Sequence, residues 1–121
     1  MTDGRRSVLI VEDEPIVRMS ACDMMEDAGY DAIEAADADE AIALLESRDD
    51  IALVFTDVEM PGSINGAALA AQVHDRWPPI RVIVTSGNAT DLDLHLPPHA
   101  EFIAKPYRGS QISAMMARMA G

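Results

Sequence analysis

An α/β fold, with a five-stranded parallel sheet wound on both sides by five helices, is the class this chain predicts. Two observations predict it. Short, continuous β-branched runs recur along the chain, as strands covered on both faces require. Between them lie stretches with helical apolar spacing, so strand and helix alternate from end to end. A third observation, the absence of any repeat or low-complexity linker, makes the 121 residues one domain.

Val8-Leu9-Ile10-Val11 is the first strand. Pro15 suits the first turn of a helix that buries Val17, Ala21, Met24, Met25 and Ala28, and Gly29 stops it. Tyr30 to Ala35 is a weaker strand. Asp37-Ala38-Asp39-Glu40 reads as a capping box before a helix with Ala41, Ile42 and Leu45 inward. Ile51 to Thr56 is the second strong strand run. Met60 to Gly66 is a loop by its Pro and Gly content. A helix from Ala67 to His74 turns Leu69, Ala70 and Val73 inward, and Pro78-Pro79 lies beyond it. Val82-Ile83-Val84 is the next strand, closed by Ser86-Gly87-Asn88. Only 18 residues separate Ser86 from Lys105, with Pro97-Pro98 among them, so the fourth helix, near Thr90 to Leu96, is expected to be short or irregular. Phe102-Ile103-Ala104 is the last strand. Ile112, Met115, Met116 and Met119 then fall at i, i+3, i+4 and i+7, and the methionines read as core filler.

Hydrophobic residues make up 49% of the chain and charged residues 25%, an ordinary globular mixture. Net charge is −12. So acidic a body repels phosphate backbones and anionic lipid, which argues against nucleic-acid or membrane binding and favours basic partner surfaces. One cysteine, Cys22, leaves no intrachain disulfide framework and fits a reducing compartment. It is expected inside the first helix. Arg5-Arg6 precedes an apolar run too short for a secretory segment, and Glu12-Asp13-Glu14 ends that run. A cytoplasmic location is therefore expected. His74, His95 and His99 form no believable metal set, since Pro97-Pro98 interrupts the last two, and all three are expected at the surface.

In parallel sheets of this kind the functional crevice lies beyond the carboxyl ends of the strands. The first strand runs into Glu12-Asp13, the third into Asp57, the fourth into Thr85-Ser86 and the fifth into Lys105-Pro106. Three carboxylates, a hydroxyl and an ammonium would meet at one rim. Clustered carboxylates repel, and a cation relieves that repulsion. Hard oxygen donors suit Mg²⁺. A carboxylate beside such an ion keeps an oxygen with which to attack phosphorus.

Glu12-Asp13, Asp57 followed by Met60-Pro61 and Gly66, Ser86-Gly87 and Lys105-Pro106 together resemble the receiver domain of two-component response regulators. The resemblance spans about Ser7 to Met119. It implies strand order 2-1-3-4-5, the flavodoxin-like arrangement. It implies Asp57 as phosphoacceptor, with Mg²⁺ held by Asp13 and Asp57, by Glu12 through water, and by the backbone carbonyl of Glu59. Lys105 and Ser86, the latter helped by the Gly87 N–H, would offset charge on the phosphoryl oxygens. Pro106 would follow Lys105 in a cis peptide. Ser86 and Phe102, three residues before Lys105, would form the switch that alters a protein-binding face.

The resemblance further implies a sensor histidine kinase or phosphotransfer protein as donor and a downstream protein target. The chain ends soon after its last helix, so residues 1–121 are expected to be a stand-alone receiver without an output domain. Its catalysis would be limited to its own phosphorylation and dephosphorylation. Departures from the common pattern are Glu at 12, Ser at 86 and a loop from Met60 to Gly66 one residue longer than in the smallest receivers. Glu59 and Asn88 flank the positions where relatives tune phosphate lifetime. Three rival readings are a phosphate sink, a pseudo-receiver that is never phosphorylated, and a small haloacid-dehalogenase-like phosphatase. The last expects an Asp-x-Asp nucleophile motif early in the chain, whereas Asp57-Val58-Glu59 lies mid-chain.

Overall fold

Five strands pair in parallel in the computed structural model, which describes residues 7–59, 65–87 and 100–120. In chain order the elements are β1 (Ser7–Val11), α1 (Pro15–Asp27), β2 (Asp31–Ala35), α2 (Ala38–Ser47), β3 (Ile51–Asp57), α3 (Gly66–Arg76), β4 (Arg81–Ser86), β5 (Ala100–Ala104) and α4 (Gly109–Ala120). The sheet order is β2-β1-β3-β4-β5, as expected. Four helices lie among the described residues. The helix expected near Thr90 to Leu96 falls outside them, as do Pro61, Asn88, His95 and His99.

Strand alternation divides the core into two layers. Leu9, Val11, Val54, Val82 and Val84 pack with α2 and α3 residues such as Leu45, Leu69 and Val73. Val8, Ile10, Leu53, Phe55, Ile83 and Ile103 pack with Ala21 and Met25 of α1 and with Ile112, Met115 and Met116 of α4. Each such Leu or Ile, fully buried, contributes on the order of 1.5–3 kcal/mol, so the two layers together hold the sheet between its helices. Cys22 is buried in the second layer. β2 was the weak strand in the sequence because it is an edge strand, with only Ala35 fully buried.

Local signals set the element ends. Pro15 occupies the first turn of α1, and Gly29 follows the helix at φ +97°, a conformation few other residues tolerate. The Asp37 side chain accepts from Glu40 N at 2.9 Å. The Glu40 carboxylate reaches back to Ala36 N at 3.0 Å, one residue before the expected partner of a capping box. Asn65 caps α3 by accepting from Ala68 N at 2.9 Å. His74, expected at the surface, is half-buried on α3, which runs on to Arg76.

Alternation also fixes where the polar residues go. Ile10 and Phe55 face the α1/α4 layer, so two residues further on Glu12 and Asp57 lie on that same side. Asp57 pairs in register with Thr85. Among the described residues the Thr85 hydroxyl finds no hydrogen-bond partner, although it is buried. Replacing it by a methyl removes that desolvation cost, so Thr85→Val is expected to raise stability by about 1 kcal/mol in urea denaturation. A loss of similar size would show that the hydroxyl is needed.

Candidate functional site

The ends of β1, β3, β4 and β5 meet at one rim of the sheet. Lys105, just past β5, donates from Nζ to Asp57 Oδ2 at 2.6 Å and to Glu12 Oε1 at 3.1 Å. Asp57 and Glu12 are both buried, 4% exposed each. The second oxygen of Asp57 accepts from Glu59 N at 3.2 Å, and that of Glu12 from Glu14 N at 3.1 Å. Lys105 N donates to Ser86 O at 2.9 Å, which fastens the β5 end beside β4. The peptide between Lys105 and Pro106 is cis, as expected.

Charge is crowded here. Burial, with the nearby Asp57 charge adding to it, pushes the Glu12 carboxyl up to about 7 against the pull of its hydrogen bonds to Glu14 and Lys105. Burial works against the Lys105 ammonium, but its bonds to Asp57 and Glu12 outweigh that and raise its pKa. Carboxylate oxygens of Glu12, Asp13 and Asp57 all lie within 4.8 Å of one another, with Asp13 exposed at the mouth. Three hard oxygen donors converging on one point, two buried and one open to water, fit a small divalent cation that keeps part of its hydration.

Two contacts were not foreseen. Ser86 Oγ donates to Glu59 Oε2 at 2.7 Å, so the hydroxyl expected to face a phosphoryl group is held by an acidic side chain. Arg18 of α1 donates to the Glu12 backbone oxygen at 2.8 Å and to Glu34 of β2 at 2.8 Å, pinning the β1 end. Tyr107 was also missed. Its ring packs edge-on against Phe55, centroids 5.4 Å apart. Beside it a groove of about 560 Å³ runs from Lys105 and Gly87 past Pro106 and Tyr107 to Ile16 and Met24. Phe102 is 39% exposed on β5, so it is not a buried core aromatic. Gly66 stands where α3 begins against the β3 backbone, and Gly66 N donates to Val58 O at 3.0 Å.

A doubly wound sheet with an acidic cluster, a strand-end aspartate and a lysine at one rim is the arrangement of a receiver domain, a phosphoryl-accepting regulatory unit. The family model for the response regulator receiver domain matches residues 8–117, and the chain belongs to that family. It is similar to the sensor kinase CckA of Brucella abortus, 33% identical over 120 residues, covering 96% of this chain and 13% of that kinase. Among solved structures, the receiver domain of the hybrid histidine kinase CckA superposes with TM-score 0.78 at 30% identity, covering 95% of this chain and 99% of that one. TrrA of Thermotoga maritima, solved with Mg²⁺ and BeF, superposes with TM-score 0.85 at 23% identity, covering 94% and 98%. The acidic cluster fits the magnesium site of such receivers. The family is not that of the haloacid dehalogenases. No helix among the described residues is long and apolar enough to cross a membrane.

Proposed function

We propose that this chain accepts a phosphoryl group on Asp57 from a histidine of a sensor kinase or phosphotransfer protein, and that this modification changes its contacts with a downstream protein. One observation carries the reading: Lys105 Nζ sits 2.6 Å from Asp57 Oδ2 inside a convergent carboxylate cluster. Asp13 and Asp57, Glu12 through water and the Glu59 carbonyl would hold Mg²⁺, which when bound supplies positive charge for a phosphoryl oxygen.

The residues of the chain do the rest. An Asp57 oxygen forms the new P–O bond while the P–N bond of the phosphohistidine breaks. The departing imidazole keeps the electron pair and needs no proton from this chain. Lys105 moves from neutralising Asp57 to neutralising a phosphoryl oxygen, a short displacement because it already touches the attacking carboxylate. Ser86 and the Gly87 N–H serve another oxygen, and Phe102 is the partner of Ser86 in the switch. Hydrolysis of the aspartyl phosphate by water resets the chain. Ile16, 82% exposed, and Met19, 61% exposed, give the α1 side of the rim an apolar foothold for a docking protein. Residues 1–121 act as one receiver unit in this scheme.

Incubation with acetyl phosphate and Mg²⁺, read by intact mass, is expected to add one phosphoryl group, and chelation to prevent it. No gain with Mg²⁺, or equal gain with chelator, would overturn the reading. A companion expectation concerns Lys105. Lys105→Met keeps the aliphatic stem but leaves two buried carboxylates without their cation, costing about 2 kcal/mol after discounting for partial exposure. Mg²⁺ is expected to recover most of that loss in urea denaturation, whereas equal losses with Mg²⁺ and with chelator would deny a shared role to the two cations.

A further inference from the structure

We propose that the Glu59 carboxylate is a positioning residue that holds the Ser86 hydroxyl in the unphosphorylated state, so that Ser86 turns to a phosphoryl group only by giving up this bond. The inference rests on the reading of Asp57 as phosphoacceptor.

Ser86 ends β4 and is buried, 1% exposed, while Glu59 stands two residues past Asp57 and is exposed. Their side chains meet at 2.7 Å across 27 residues of sequence. The same residue also donates its backbone N–H to Asp57 Oδ1. Glu59 therefore touches both the reacting carboxylate and the hydroxyl that is to serve it.

A serine hydroxyl carries one proton, so it donates to one strong acceptor at a time. An ionised carboxylate is such an acceptor, and bonds to it are shorter and roughly twice as strong as neutral ones. A phosphoryl group on Asp57 offers a rival acceptor with more charge. Only one can win the Ser86 proton. The like charge of the phosphoryl group pushes Glu59 outward, toward the solvent it already meets, which favours release. Glu59 thus opposes the phosphorylated conformation by the worth of its bond to Ser86.

Simple repulsion between Glu59 and the phosphoryl group has the same sign, so a single substitution does not separate the two. A double-substitution cycle does. Acetyl phosphate and Mg²⁺ provide the probe, and the steady-state phosphorylated fraction and the rate of its decay are the readouts. Glu59→Ala is expected to raise the steady-state ratio of phosphorylated to unphosphorylated protein about fivefold, as loss of one partly exposed charge-assisted bond implies. Glu59→Gln, whose amide oxygen still accepts, is expected to fall between. In a Ser86→Ala background Glu59→Ala is expected to change little, because the hydroxyl it competes for is gone. A metal-free readout accompanies this: side-chain couplings should show one Ser86 χ1 rotamer in unphosphorylated wild type and a mixture in Glu59→Ala.

A Glu59→Ala effect of equal size with and without the Ser86 hydroxyl overturns the latch and leaves repulsion. An unchanged Ser86 rotamer overturns it as well. Wild-type protein that takes no label removes the phosphoacceptor reading and the latch together, whereas labelled wild type without Glu59–Ser86 coupling removes only the latch.

Discussion

Asp57→Asn is expected to take no phosphoryl group under conditions that label the wild type, while folding as well or better. The amide keeps the shape of the carboxylate and can still accept from Lys105 Nζ, which lies 2.6 Å from Oδ2. It lacks the anionic oxygen that must form the P–O bond, so chemistry stops rather than slows. Stability moves the other way. Asp57 is one of the charges that push Glu12 upward, and removing it leaves Lys105 to neutralise Glu12 alone. An increase of up to about 1 kcal/mol in urea denaturation follows from the relief of like charge. Full labelling of the variant would move the phosphoacceptor elsewhere. Loss of the fold in the variant would contradict the predicted gain in stability.

Gly66→Ala is expected to be the most damaging small substitution in the described structure. A Cβ built at Gly66 overlaps the Asp57 carbonyl oxygen, and it comes within 2.7 Å of the Asp57 carbonyl carbon and 2.9 Å of Val58 Cα. All three are backbone atoms at the end of a central strand, so no side chain can rotate to make room. Either β3 or the first turn of α3 must move. Moving α3 strains the Gly66 N to Val58 O bond and the Asn65 cap on Ala68. A cost of about 3–5 kcal/mol is expected, a large part of a typical domain's stability. The carboxylate hangs from the displaced backbone, so phosphorylation should fall even in the fraction that remains folded. Denaturation midpoints and labelling measured together check both. A cost under about 1 kcal/mol would mean that the helix and strand are not packed this closely.

Much of this was legible in the chain because period and position carry it. Val8 to Val11 and Val82 to Val84 are buried on both faces, and such strands announce themselves as unbroken apolar runs. The apolar runs end just before Glu12 and Asp57, so both are marked as strand-end residues in the chain itself, while their shared side of the sheet follows from Ile10 and Phe55 packing in one layer. Strand ends then bring Lys105 to them from the far end of the chain. Gly66 was legible only through family pattern, since the need for glycine comes from a close approach to a strand nine residues earlier.

Other features resisted because they depend on side-chain rotamers across the rim. The Ser86–Glu59 bond joins two residues whose spacing carries no signal. Nothing in the sequence singles out Arg18, whose reach to the Glu12 carbonyl and to Glu34 ties α1 to the end of β1 and to β2. Tyr107 follows a Lys-Pro pair that drew attention to itself, and its packing on Phe55 depends on how the chain turns after β5. His74 is half-buried rather than at the surface, on a helix that runs two residues past the expected end.

Borohydride reduction of the phosphorylated protein, followed by peptide sequencing, tests the central claim most directly. An aspartyl phosphate is reduced to homoserine, so the position of the acyl phosphate is written into the chain. Homoserine at position 57 and nowhere else is predicted. Conversion at Glu12 or Asp13, or a label that resists reduction because it sits on a histidine, would contradict the account.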